Sequence, residues 1–124
     1  MYVPAYSHIY HGDREKHILL LAVTLSVRNI DLTKSMKLVA VDYYDTKGNL
    51  IEKFINQPVT LKPLESVRYI VKESDVRGGS GANFIVKWMA DVPVNRPIIE
   101  AIMIGARGQQ GISFTSRGHE IFEK

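Results

Sequence analysis

The chain has no cysteine, which excludes disulfides, thiolate metal sites and cysteine nucleophiles together. That absence leaves the compartment open, since an oxidising periplasm has nothing here to oxidise. No apolar run approaches the roughly 18 residues of a membrane span; the longest is Ile18 to Val23. Met1-Tyr2-Val3-Pro4 has neither the basic opening nor the apolar stretch of a secretory leader, so an exported protein would carry its targeting segment outside this chain. Basic residues are scattered among acidic ones and the net charge is only +3. Nucleic-acid binders concentrate Lys and Arg with interleaved aromatics, so no nucleic-acid partner is expected. No stretch carries a helical apolar stripe, a repeat or a low-complexity bias.

What is present suits one globular domain spanning residues 1–124, with 45% hydrophobic and 23% charged residues. Apolar residues recur with period two. His17 to Asn29 alternates Leu19, Leu21, Val23, Leu25 and Val27 with a second set that turns polar at Thr24, the pattern of one long strand. Leu38 to Tyr44 alternates likewise, with Val39, Val41 and Tyr43 on one face, and Asp45 to Asn49 closes a glycine-containing hairpin onto Leu50 to Ile55. Pro58 and Pro63 bracket Val59 and Leu61, which suits an edge or a crossover. Val67 to Lys72 is a further strand. Ile98 to Gly105 is largely apolar on both faces, with Glu100 the exception, as in a strand interior to the fold. A short strand from Ile112 to Thr115 follows, and Ile121 and Phe122 in the tail are placed to dock.

The densest glycine run, Gly78-Gly79-Ser80-Gly81-Ala82, leads into Asn83-Phe84-Ile85-Val86-Lys87-Trp88. Alternation puts Phe84, Val86, Trp88 and Ala90 on one face, with the single tryptophan as the expected largest piece of the core. Short strands with frequent turn signals predict an all-β, antiparallel β-sandwich of immunoglobulin-like type, with a small closed β-barrel as the alternative.

Four stretches together resemble a bacterial group, domain of unknown function family 3124. They are Tyr2 to Tyr10, Val41-Asp42-Tyr43-Tyr44-Asp45, Gly78 to Phe84, and Met103-Ile104-Gly105 with Gln110-Gly111-Ile112-Ser113-Phe114. The resemblance runs nearly end to end. It implies a bacterial, exported protein, periplasmic or attached to the cell envelope. It implies no activity, and it transfers no catalytic or ligand role to any residue.

Three constellations have chemical potential. Gly78 to Ala82 is close to the nucleophile elbow that would make Ser80 reactive, but an elbow needs a helix after the turn, and here a strand follows. The same glycines suit a turn needing positive φ, or a backbone nest for an anion. His8, His11 and Asp13 have donor chemistry suited to zinc or copper if the chain turns near Tyr10. Ser113, Thr115 and Arg117 share one face of the last strand, with Ile112 and Phe114 turned inward; they are set to grip a partner strand, a glycan or a carboxylate, or to guard a sheet edge. The expectation is a non-enzymatic binding module without cofactor. Its surface is formed by Gly79, Ser80, Gly81 and Asn83 with Gln110, Ser113, Thr115 and Arg117, facing a protein or glycan at the cell envelope. A small-ligand or metal-binding domain and a serine hydrolase are the alternatives.

Overall fold

The computed structural model describes residues 1–10, 18–107 and 110–122. The strands in chain order are β1 (Tyr2–Pro4), β2 (His8–Tyr10), β3 (Ile18–Leu20), β4 (Ala22–Arg28), β5 (Met36–Tyr44), β6 (Leu50–Lys53), β7 (Val59–Leu61), β8 (Ser66–Val71), β9 (Asn83–Met89), β10 (Ile98–Arg107) and β11 (Gln110–Arg117). Among the described residues there is no helix. One sheet runs β1-β9-β5-β6, with β7 also on β5; the other runs β11-β10-β4-β8; β2 and β3 form a separate ribbon. All the pairings are antiparallel. Neither sheet closes on itself, so the architecture is a sandwich and the barrel alternative falls.

The central pairings follow the immunoglobulin plan, in which consecutive strands cross between sheets and interlock. β4 pairs β8 in one sheet while β5 pairs β9 in the other. The edges are distributed differently. The N-terminal β1 lies beside β9, and the C-terminal hairpin β10–β11 lies beside β4.

Between the sheets, Leu21, Val23, Leu25, Val27, Ala101 and Met103 meet Val3, Leu38, Val41, Phe84 and Val86, all with no exposed surface. The largest fully buried side chains are Tyr43 and Phe84, whose rings lie 4.8 Å apart. Trp88, expected at the centre, is only partly buried and packs against the core from its margin. It follows Phe84 and Val86 along the same face of β9, but by that point the strand has run past the end of β1.

Three local expectations are corrected. The long strand over residues 17–29 is broken at Leu21, whose N–H donates to Ser7 O (3.0 Å): the chain leaves the β2 ribbon there and enters the second sheet. In β5 the register shifts between Leu38 and Ala40. This bulge changes which side chains point inward, so Met36 and Leu38 are buried ahead of it and Val41 and Tyr43 beyond it, while Val39 turns out to solvent at 42% exposure. Ile121 and Phe122 do not dock; Phe122 is 80% exposed.

Candidate functional site

The glycine loop is held from both sides. Ser7 Oγ accepts from the Gly79 N–H (2.7 Å) and donates to Gly79 O (3.1 Å), and the Ser7 N–H donates to the same carbonyl (2.9 Å). Opposite, Thr46 Oγ1 donates to Gly78 O (2.8 Å) and accepts from the Gly81 N–H (3.0 Å). Gly79 has φ of +82°, the left-handed conformation that only glycine adopts without strain. Two N–H groups that would build an anion nest are therefore committed to Ser7 and Thr46. Arg77 ties the approach to the loop down, pairing with Asp75 (2.7 Å) and Glu52 (3.3 Å). These two carboxylates, Asp75 foremost, push the Arg77 pKa up, and the same contact holds the Asp75 carboxyl below its usual range. Ser80 sits in a turn that opens directly into β9. Asn83 is buried within β9, in register with Pro4 on one side and Tyr44 on the other.

One buried polar group near the loop has no partner. The Tyr43 hydroxyl is hydrogen-bonded to nothing among the described residues, and burial pushes its pKa up to about 12, with the Asp75 charge adding to the effect. A Cβ placed on Gly78 would lie 2.1 Å from this oxygen, so the glycine makes room for the phenol.

Of the histidine group, His8 is described: it is half-buried in β2, its ring edge-on to Tyr10 at 5.5 Å. His11 and Asp13 lie outside the described residues. Among the described residues no group of three or more histidines and carboxylates gathers to hold a metal.

The other half of the expected surface stands on the second sheet. Ser113, Thr115 and Arg117 are exposed on the outward face of β11, while Phe114 on the inward face packs on Tyr6 (5.7 Å) and the Ser116 hydroxyl donates to Pro4 O. Ile112 was expected inward, yet it is 44% exposed. The glycine loop and β11 thus belong to different sheets, each contacting the segment from Pro4 to Ser7. Gln110 opens β11 opposite Arg107.

Sequence reasoning missed what surrounds these β11 residues. Register across the sheet aligns Ser113–Ile104–Ala22, then Thr115–Ile102–Thr24–Ile70, then Arg117–Glu100–Ser26–Arg68, then Ile98–Arg28–Ser66. All point away from the core, because the alternate residues Ala101, Met103, Val23, Leu25 and Val71 are buried. Ile70 and Ile104 are each 54% exposed. The signal was visible in β10, whose two faces are both largely apolar: the strand is interior to its sheet as expected, but among the described residues only one face is covered.

A second concavity lies at the margin of the first sheet. It is an open groove of about 500 Å³ beside Trp88, walled by Ile85, Val86, Arg96, Glu120 and Phe122. Arg96 Nη1 reaches Glu120 Oε2 across it at 2.8 Å.

Comparison with known proteins matches residues 1–121 to the family described as protein of unknown function (DUF3124). No curated protein and no solved structure matches the chain.

Proposed function

We propose that this chain, which belongs to the DUF3124 family, is a non-enzymatic interaction module that works through the outward face of the β11-β10-β4-β8 sheet. The observation carrying this reading is a set of outward isoleucines, Ile104 and Ile70 each 54% exposed and Ile102 half-buried, interspersed with Ser113, Thr115 and Thr24. A strand apolar on both faces is normally covered on both, and contiguous exposed apolar surface marks a contact site. The hydroxyls among the isoleucines supply directional bonds to a partner. The non-enzymatic part is supported by the glycine loop: the N–H groups of Gly79 and Gly81 are engaged by Ser7 and Thr46, and Ser80 leads into a strand rather than a helix. Export to a bacterial cell envelope belongs to the same proposal, on the family resemblance, and fractionation of producing cells tests it.

Site-specific photo-cross-linking tests the surface. A photoreactive residue at Ile104 gives a discrete adduct in producing cells, whereas one at Val39, exposed on the opposite sheet, gives none. Adducts at neither position, or equally at both, overturn the assignment.

The Trp88 groove favours a second reading, a small-ligand site. Its volume falls in the range of ligand pockets, roughly 300–1,000 Å³, and an exposed aromatic edge beside an Arg–Glu pair suits a sugar or a carboxylate. Trp88 is the only tryptophan, so a saturable fluorescence change with an oligosaccharide panel supports this reading and an unchanged spectrum removes it.

A further inference from the structure

Resting on that interaction reading, we infer that the occupant of the isoleucine face is a protein with an apolar patch edged by carboxylates. The charges on the outward side of the four strands are Arg28, Arg68, Arg117 and Glu100. Among the described side chains of that face, three arginines and one glutamate leave a net charge of +2, and Arg68 and Arg117 border the row of Ile102 and Ile70 on one side while Glu100 stands between Ile102 and Ile98 along β10. Arg68 and Arg117 stand at the two ends of one row, with Glu100 and the nearly buried Ser26 between them.

Three physical points select the occupant. Protein interfaces have an apolar centre and a polar rim enriched in Arg, whose planar fork pairs with carboxylates in a fixed geometry. A second copy of this chain would bring cationic rim against cationic rim, an arrangement that interfaces avoid. A lipid surface would satisfy the arginines, but it would leave Thr24, Thr115 and Ser113 facing hydrocarbon without partners, at a cost for each buried hydroxyl.

The test combines the Ile104 cross-linker with charge changes at the rim. In Arg68→Glu/Arg117→Glu the adduct yield falls at least tenfold, and in Arg68→Lys/Arg117→Lys, where the charge is kept, most of it returns. The captured protein, purified, binds the wild-type chain with an affinity that weakens with rising salt. Several outcomes overturn the inference while leaving an interaction face in place: an adduct insensitive to charge reversal, an adduct with the mass of two copies, or sedimentation of the chain with vesicles of phosphatidylcholine and phosphatidylglycerol at 7:3. Absence of any Ile104 adduct sinks the underlying interaction reading instead. Circular dichroism of both double variants keeps a loss of folding from passing as a loss of binding.

Discussion

Ser7 and Gly79 are joined by three hydrogen bonds, although the two residues stand 72 positions apart in the sequence. The Ser7 side chain has no exposed surface, so removing its hydroxyl leaves the part-buried Gly79 N–H without this acceptor. Ser7→Ala is expected to cost about 1–3 kcal/mol, the range for leaving a buried donor unpaired. Ser80→Ala, one residue further along the same loop, is expected to stay within about 0.5 kcal/mol. Urea denaturation of both variants checks the contrast, and equal effects would show that the loop is not held by Ser7.

The Tyr43 hydroxyl presents the opposite case, a buried polar atom without a partner among the described residues. Tyr43→Phe is expected to hold stability or raise it by up to about 1 kcal/mol, because it removes an unmet hydrogen-bonding demand. The pH dependence has a fixed sign. The folded pKa is raised from 10.0 to about 12, so the unfolded chain loses this proton first, and stability falls as pH rises through that window. Tyr43→Phe removes most of this alkaline loss. A smaller part persists from Tyr69, whose pKa burial also raises. Thermal melts between pH 9 and 12 read both effects.

Asp31 gives the acid counterpart. Its carboxylate accepts from the N–H groups of Thr33 (3.0 Å) and Lys34 (2.9 Å) and from the backbone and side chain of Asn95 (3.0 and 3.3 Å). These bonds, that from the Asn95 backbone first, hold its pKa down from 3.8 to about 2. A depressed carboxylate adds stability above its unfolded pKa and loses it as pH falls, here between about 4 and 2. Asp31→Asn is expected to flatten that part of the acid profile. The remaining slope belongs to Asp45 and Asp75, which are also held down by hydrogen bonds.

The two largest rings of β9 should separate clearly in a truncation experiment. Phe84 has no exposed surface and touches both Tyr43 and Phe54 (4.8 and 5.9 Å), so Phe84→Ala is expected to cost about 3–5 kcal/mol. Trp88, partly open to its groove, should lose less, about 1–3 kcal/mol, in keeping with its smaller buried area. The reverse order in chemical denaturation would return the indole to the centre of the core.

Strand positions were legible because period-two alternation reports directly on burial: Val23, Leu25 and Val27, or Phe84 and Val86, face inward as their spacing demands. Val39 was misread because a bulge advances the register by one residue and leaves no mark in residue types. Trp88 was misread because size and hydrophobicity say nothing about where a neighbouring strand stops. The break at Leu21 escaped for a similar reason: a chain can change pairing partners without interrupting its apolar run. As for the site, Ser113, Thr115 and Arg117 were found in the final strand, but Ile70, Thr24 and Arg68 join them only through sheet register. That register comes from pairing between strands far apart in sequence, which no local pattern contains.

The place of β1 also bears on synthesis. Its partner strand is β9, with Tyr2 opposite Ile85, so β1 leaves the ribosome well before the strand it needs and can dock only once β9 has followed it. Until it does, the flank of β9 offers unpaired amides, and a neighbouring nascent polypeptide could seize them. Slowing the docking of β1 onto β9 should therefore show itself first as co-translational aggregation, before any change in the finished fold.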